Sequence, residues 1–123
     1  MPAPSPLPEY LYKILPEAPP DPLPSNLPLS ALDAKDGFIH LSTAEQTPAT
    51  AGRFFSKTNS LSLLKIPLAR IEKNVKWEEA SSGCFAHLYG AEFGRKQIVE
   101  AKDFMKGENE EWTNVLEKDA WLH

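Results

Sequence analysis

The sequence predicts a single α+β domain built on a curved mixed or antiparallel β-sheet with few short helices. Two observations lead to this prediction. The chain has 123 residues, which is enough for one hydrophobic core but not for two. Segments with the composition of β-strands also come in groups, without the alternating long helices that a doubly wound parallel sheet requires.

Composition and charge narrow the class of protein. Hydrophobic residues make up 41% and charged residues 24% of the chain, as in an ordinary globular protein. The net charge is −4 and no Lys/Arg cluster is present, so duplex nucleic acid is not an expected partner. No apolar run approaches the roughly 20 residues of a membrane span, and no export signal is apparent. We expect a cytoplasmic protein, with nuclear access left open and no membrane association, and its protein partner is left open.

The first part of the chain is rich in proline, which fixes φ and removes a backbone donor. Ten of the twelve prolines fall within residues 2–28. We predict an N-terminal arm over residues 1–8, a single domain over 9–123, and a long connection over 16–28. Between the arm and the connection, the strand formers of residues 9–15 predict the first strand, with Tyr10, Tyr12 and Ile14 on one face.

The next elements surround an Asp-Gly turn signal at Asp36-Gly37. Residues 26–33 predict a turn or one short helix before it, and Phe38–Leu41 a short strand after it. In that strand Phe38 and His40 point to one face, and Ile39 and Leu41 point to the other.

A helix is predicted over about residues 44–57, with Ala51, Phe54 and Phe55 facing the core. Its start is open between three capping signals, which are Ser42 with Glu45, Thr43 with Gln46, and Thr47 before Pro48.

The remaining chain predicts further strands and short helical segments. These are strands at 61–66, 75–79, 85–89 and 97–101, a helical turn at 68–71, a turn at 81–83, and a short helix in the acidic tail that packs Trp112, Val115, Leu116 and Trp121 on the sheet.

His40 and the two hydroxyl residues after it form the first candidate site. Ser42 and Thr43 stand where a strand end feeds a helix, and the N–H groups there favour an anion. His40 adds a directed hydrogen bond or a proton carrier near neutral pH. The alternative is that Ser42 and Thr43 only cap the helix beside a half-buried structural histidine.

A second group of candidates lies on the later strands. His87 and Tyr89 share a strand face, and Glu78 stands beside the large ring of Trp77, where a carboxylate can serve acid–base chemistry. Each of them also has a structural interpretation as an ordinary sheet residue. The three histidines lack the spacing of metal ligands, so no metal is expected, and the single cysteine, Cys84, is interpreted as structural.

Three segments together resemble the domain of unknown function 952 family. The first runs from Ser30 to Gln46 and contains Asp36-Gly37-Phe38-Ile39-His40-Leu41-Ser42-Thr43. Lys76-Trp77-Glu78 and His87-Leu88-Tyr89-Gly90 lie where that family has its later motifs, and the strand start Tyr12-Lys13-Ile14 also fits. The resemblance covers about residues 9–104. The chain departs from the family pattern in its proline-rich connection and in its acidic tail after Lys106.

The resemblance implies a small fold similar to the split β-sheet core of the ADP-ribosyltransferase superfamily, with no established activity for the family itself. That superfamily typically grips nicotinamide-adenine dinucleotide with a strand histidine followed by a small hydroxyl residue. By this analogy His40 contacts ribose hydroxyls and Ser42 helps to hold the ligand. Tyr89 or His87 would flank the nicotinamide, and Glu78 would orient the ribose.

Three hypotheses follow from the residues and the resemblance. The first is binding of an NAD-type nucleotide, extending to ADP-ribosyl transfer. The second is a non-catalytic module that binds a small molecule or peptide in the same cleft, and the third is an interaction protein that presents its proline arm. For the first we predict His40, Glu78 and His87 as catalytic residues. For both of the first two we predict the ligand-binding residues Phe38, His40, Ser42, Thr43, Trp77 and Tyr89.

Overall fold

A computed structural model describes residues 3–80 and 83–123 and shows a small α+β domain. Its strands are β1 (Tyr10–Leu15), β2 (Ile39–Leu41), β3 (Ser60–Pro67), β4 (Val75–Ala80), β5 (Gly83–Leu88) and β6 (Glu100–Met105). Its α-helices are α1 (Ala31–Asp36), α2 (Thr47–Phe54), α3 (Leu68–Ile71) and α4 (Trp112–Glu117), and a 3-10 helix spans Glu72–Asn74.

The strands form two three-stranded antiparallel sheets. We call the sheet with strand order β1-β3-β6 the core sheet and the sheet with order β2-β5-β4 the site sheet. One pair of backbone hydrogen bonds joins them, because Tyr12 and Ser42 each donate an N–H to the other's carbonyl, at 2.7 and 2.9 Å. The sheets therefore meet at β1 and β2, which brings side chains of β1 next to those of β2.

Two hydrophobic clusters hold the sheets in place. The first lies between the core sheet and the site sheet and includes Leu11, Leu64 and Ile66 from one and Ile39, Leu41, Ala86 and Leu88 from the other. The second lies on the far side of the core sheet, where Ile14, Leu61, Leu63 and Phe104 pack against Ala51, Trp112 and Leu116 of α2 and α4. The core sheet is thus covered on both faces, whereas the site sheet is covered on one.

The α+β class and most of the predicted elements are confirmed, but the single curved sheet is wrong in detail. Two small antiparallel sheets are present instead. The reason is the short β2, which spans only Ile39–Leu41 and pairs with β5, so that its contact with β1 is limited to the bridge at Tyr12 and Ser42.

The helix predicted over 44–57 is shorter than expected. It begins at Thr47, next to Pro48, and its N-cap Gln46 makes no side-chain cap hydrogen bond. The predicted pair of Thr43 and Gln46 exchanges side-chain-to-backbone hydrogen bonds at 3.0 and 3.2 Å, but in the turn that precedes the helix. The amide of Gln46 also donates to the carbonyl of Cys84 at 2.7 Å, which ties the start of α2 to β5. Phe54 does not face the core, because it lies on the outer side of α2 with 66% of its surface exposed.

The strand predicted at 97–101 is also displaced. Gln97 and Ile98 both donate their N–H groups to the carbonyl of Gly94, which closes a turn there. The strand β6 begins only at Glu100, opposite Lys65 of β3. A smaller shift affects β5, which begins at Gly83 and ends at Leu88, and residues 81 and 82 of the predicted turn lie outside the described residues.

The C-terminal helix is confirmed as an anchor for the far side of the core sheet. Trp112 and Leu116 of α4 are buried, with Val115 and Trp121 packed against the same cluster. The indole N–H of Trp112 lies 3.0 Å from the carbonyl oxygen of Phe55 and 3.1 Å from that of Thr58. The end of α2 is therefore fixed by α4, as its start is fixed by β5.

Candidate functional site

The exposed face of the site sheet gathers ionisable and aromatic side chains. His40 of β2 pairs with His87 of β5, and His87 in turn pairs with Lys76 of β4, so the three residues form one row across the sheet. Side chains alternate along each strand, and the opposite face is the one that packs in the core. Phe38, Glu78 and the residues of this row therefore share a face, as the strand pattern predicted for Phe38 and His40.

A buried ion pair anchors one end of this face. Asp33 is 1% exposed, and its carboxylate accepts from the ammonium of Lys13 on β1 at 2.5 Å. The same carboxylate lies 2.6 Å from Nδ1 of His40 and accepts the backbone N–H of His40 at 3.3 Å. Asp33 thus joins β1, α1 and β2 at one point.

The short helix α1 places Asp33 in this position. Ser30 is its N-cap and accepts the N–H of Asp33 at 3.1 Å. Gly37 ends the helix with φ of 80°, in the left-handed region that favours glycine, and its N–H bonds the Asp33 carbonyl. Asp36, the last helical residue, lies 3.0 Å from Nε2 of His40, so carboxylates bracket the imidazole at both nitrogens.

The environment of Asp33 favours its charged form. Burial alone would raise the pKa of this carboxyl, but the hydrogen bonds and charge of Lys13, together with the hydrogen bonds from His40, lower the pKa below its usual value. The carboxylate is consequently a fixed negative charge under the sheet face, and it holds Lys13 and His40 on either side.

A second carboxylate holds the other histidine. Oε1 of Glu78 lies 2.8 Å from Nδ1 of His87 and accepts the hydroxyl of Tyr89 at 2.5 Å. The hydrogen bond from Tyr89, followed by that from His87, lowers the pKa of Glu78, and the same bond raises the pKa of Tyr89. Because Nδ1 of His87 faces a carboxylate, its proton is expected on that nitrogen when the ring is neutral, which leaves Nε2 as an acceptor.

Phe38 packs between the two histidines. Its ring stacks on His87 at a centroid distance of 4.1 Å and an interplanar angle of 23°, and it lies 4.6 Å from the ring of His40. The two imidazoles themselves meet edge to face, with centroids 5.4 Å apart. Phe38 also contacts the ring of Tyr89 at 5.1 Å, so these four rings hold one another in place.

A cleft of about 530 Å³ opens beside the two histidines, between the site sheet, β1 and α2. Its polar lining residues include Lys13, Asp33, His40, Ser42, His87 and Arg53. Its apolar walls include Ile14, Leu15, Leu41, Phe54, Phe55 and Phe85. The volume falls within the range of about 300–1,000 Å³ that is typical of small-molecule sites.

The structure brings most of the predicted site residues together, and it separates two of them. His40, His87 and Ser42 line the cleft, and Phe38 and Glu78 contact His87. Tyr89 joins this group through its contacts with Phe38 and Glu78. Thr43 instead caps the turn before α2 through Gln46. Trp77 lies on the opposite face of β4, packed against the first hydrophobic cluster, because it alternates with Glu78.

Three charged residues of the cleft were not predicted as site residues. Lys13 and Asp33 are buried charged residues, and buried charges in proteins are normally paired, but nothing in the sequence showed that both would be buried. Arg53 lies in the last turn of α2 and stacks on its neighbour Phe54 at 5.3 Å. The signal available for Arg53 was its place in the last turn of a helix whose start borders the motif.

Within residues 3–80 and 83–123, no three His, Cys, Asp or Glu side chains are arranged to hold a metal ion. No helix in this part of the chain has both the length and the apolarity to cross a membrane.

Comparisons with known proteins place this fold and site in a family. None of the curated proteins matches the sequence. The crystal structure of protein CC0527 from Caulobacter crescentus is 32% identical, with a TM-score of 0.63, over 76% of this chain and 84% of that one. Its solution NMR structure is 30% identical, with a TM-score of 0.60, over 79% and 85%. The family model "Protein of unknown function (DUF952)" matches residues 24–101, a range that holds both histidines and Asp33, so the chain belongs to the DUF952 family.

Proposed function

We propose that the cleft binds a nucleotide-type small molecule, with oxidised nicotinamide-adenine dinucleotide and its mononucleotide halves as candidates. The observation that supports this most directly is the meeting of His40, His87 and Ser42 with two cationic side chains in one cleft. Sites for small ligands typically combine apolar walls with a few convergent polar groups, and this cleft has both.

The charges of the cleft favour an anionic group on the ligand. Lys13 and Arg53 contribute two positive charges to the lining, and Asp33 contributes one negative charge. Among the described residues Arg53 makes no ion pair, so its guanidinium is available to a phosphate or carboxylate. A single negative charge on the ligand would balance the lining.

The walls of the cleft favour a planar ring on the same ligand. Phe54, Phe55 and Phe85 line it, and Phe54 is largely exposed even though it is a large apolar residue. A purine or nicotinamide ring can stack on such surfaces. With Lys13 and Arg53 nearby, the cleft offers separate places for a base and for a phosphate.

ADP-ribosyl transfer is the catalytic form of this proposal, as the resemblance to the ADP-ribosyltransferase superfamily implies. In that form His40 and Ser42 would hold the ribose, and Glu78 would act through its contact with His87. The alternative is a non-catalytic binding module that uses the same cleft. It is favoured by the position of Glu78, which bonds His87 and Tyr89 and is not part of the cleft lining.

Isothermal titration calorimetry with NAD⁺, nicotinamide mononucleotide and AMP tests the proposal. We expect at least one of these to bind, and Arg53→Gln to weaken that binding about tenfold or more, since it removes a charge-assisted hydrogen bond. Arg70→Gln is the matched control, because Arg70 bonds the carbonyl of Lys96 away from the cleft. Absence of binding by all three ligands, or equal effects of the two substitutions, would contradict the proposal.

Release of nicotinamide from NAD⁺ separates the two forms. An enzyme would release it slowly and lose this activity in Glu78→Ala. A binding module would bind NAD⁺ and release none at high protein concentration.

A further inference from the structure

We propose that His87 is a general base, and that the cleft hydrolyses a cyclic phosphodiester of the nucleotide class. This inference rests on the proposed nucleotide binding and adds a reaction to it. The feature behind it is the contrast between two neighbouring histidines. His40 has carboxylates at both ring nitrogens, whereas His87 has a carboxylate at only one.

His87 has the geometry of an oriented base. Its Nδ1 faces Glu78 at 2.8 Å, and Phe38 stacks on its ring, so both the tautomer and the ring plane are fixed. Within the described residues no hydrogen bond is made by Nε2, and His87 lines the cleft. A neutral imidazole held by a carboxylate at one nitrogen can accept a proton from water at the other.

His40 has the geometry of the complementary acid. Asp33 and Asp36 lie 2.6 and 3.0 Å from its two nitrogens, and both nitrogens can donate at once only in the imidazolium form. The carboxylate of Asp33 is 2% exposed and holds Nδ1 firmly, whereas that of Asp36 is 34% exposed and can release Nε2 to a ligand. The centroids of the two imidazoles are 5.4 Å apart, close enough to serve one reacting group.

The charges of the cleft select the substrate class. The two cations and the imidazolium of His40 outnumber the one carboxylate of the lining, and this excess of positive charge suits an anionic phosphodiester. Asp33, the one carboxylate among the described lining residues, is held by Lys13 and His40. Cleavage of a glycosidic bond ordinarily uses a free carboxylate at the sugar carbon, so this lining suits attack on phosphorus better.

The reaction can be written for a 2′,3′-cyclic nucleotide. Water loses a proton to Nε2 of His87 and forms a new P–O bond, while the bond from phosphorus to O2′ or O3′ breaks. The leaving ribose oxygen takes a proton from Nε2 of His40, and Arg53 and Lys13 offset the charge that develops on the phosphate oxygens. Proton exchange with solvent restores both histidines, and the product is a nucleoside monophosphate.

Glu78 and Tyr89 are positioning residues in this scheme. The carboxylate of Glu78 sets the tautomer of His87, and the hydroxyl of Tyr89 holds that carboxylate at 2.5 Å. Neither residue lines the cleft, so they act on the reaction through His87. Their substitution is therefore expected to lower kcat and leave KM nearly unchanged.

The experiment follows 2′,3′-cyclic AMP by ³¹P NMR with the full chain. The wild-type protein is expected to convert it to the monophosphate, and His87→Gln to lower kcat about 100-fold or more, as removal of a general base does. Glu78→Gln should lower kcat about tenfold with KM unchanged, and Glu78→Asp should restore part of it. His123→Gln is the matched control, because His123 packs against Tyr10 away from the cleft.

The outcomes separate this inference from the proposed function. Binding of nucleotides without any hydrolysis overturns the inference and leaves the proposed nucleotide binding intact. Release of nicotinamide from NAD⁺ without opening of the cyclic phosphate has the same meaning. Absence of both binding and hydrolysis overturns both proposals. Full activity in a folded His87→Gln variant, checked by its thermal unfolding, also overturns the role of His87.

Discussion

The two sheets of this domain consist of similar strands but differ in how their faces are covered. The core sheet has hydrophobic clusters on both faces, and Leu61, Leu63, Leu64 and Ile66 of β3 are all at most 2% exposed. The site sheet buries one face in the first cluster and turns the other, with its two histidines, towards the cleft. One sheet is therefore stabilised by apolar burial, and the exposed face of the other by paired charges and stacked rings.

The two sheets consequently differ in how well they tolerate substitutions. Apolar burial stabilises β3 from both sides, so a truncation there leaves a cavity that few neighbours can fill. On the exposed face of the site sheet, most side chains can lose a partner to water at small cost. The buried pair of Lys13 on β1 and Asp33 on α1, which anchors one end of this face, cannot. The substitutions below test this contrast.

The largest expected effect is in the core sheet. Leu63→Ala should lower the free energy of unfolding by about 3–5 kcal/mol, because Leu63 is 0% exposed and its removal leaves a cavity in the second cluster. Met105→Ala on β6 of the same sheet is the control, since Met105 is 74% exposed and should cost less than about 0.5 kcal/mol. Urea titration of both variants measures the difference, and equal losses would refute the contrast between buried and exposed positions.

Asp33→Asn should produce the next largest loss, about 3 kcal/mol. The substitution keeps the shape of the side chain but leaves the ammonium of Lys13, which is 10% exposed, without its counter-charge. Asp36→Asn is the matched control on the same helix, because Asp36 is about a third exposed and, among the described residues, forms an ion pair with His40 alone.

A double variant sharpens the Asp33 prediction. If an unpaired buried charge causes the loss, Lys13→Met should recover part of the stability of Asp33→Asn. If the double variant is less stable than either single variant, the loss has another origin. The ion pair would then not be what stabilises the contact of β1 with α1.

The smallest expected effect is on the pH dependence of stability. The pKa of Asp33 is lowered in the folded state, so the charged carboxylate contributes stability above about pH 4, its unfolded pKa. That contribution is lost as the pH falls through the lower, folded pKa. Urea titrations at a series of acidic pH values should show a fall that is shallower in Asp33→Asn, and parallel curves would contradict the prediction. Glu78 and Asp119 also have lowered pKa values, but they are more exposed and should contribute less.

The sequence predicted the class of the fold and most of its strands, because alternation and turn signals are local. It placed β1 and β2 nearly as the structure has them. It misplaced the last strand, because Ile98 and Val99 look like strand residues while the turn that closes at Gly94 depends on packing. That turn lies under the chain at Pro24 and Ser25, where the backbone approaches so closely that a Cβ on Gly94 would be 2.3 Å from an oxygen.

The candidate site was predicted in part for the same reason. His40, His87 and their neighbours lie on strands whose alternation can be counted, so their shared face followed from register. Alternation alone also placed Trp77 and Glu78 on opposite faces, but it did not show which face would be covered by the core. Lys13 and Asp33 were missed because their pairing spans 20 residues and depends on the meeting of β1 with α1.

The two fixed ends of α2 have a kinetic consequence for any ligand of the cleft. Gln46 attaches the beginning of this helix to β5, and the indole of Trp112 attaches the segment that follows its end. Helix α2, which carries Arg53, is thus held in position before a ligand binds. We therefore expect a ligand to enter the cleft without a rearrangement of the backbone. Variants of the lining should therefore change how long a ligand stays rather than how fast it enters.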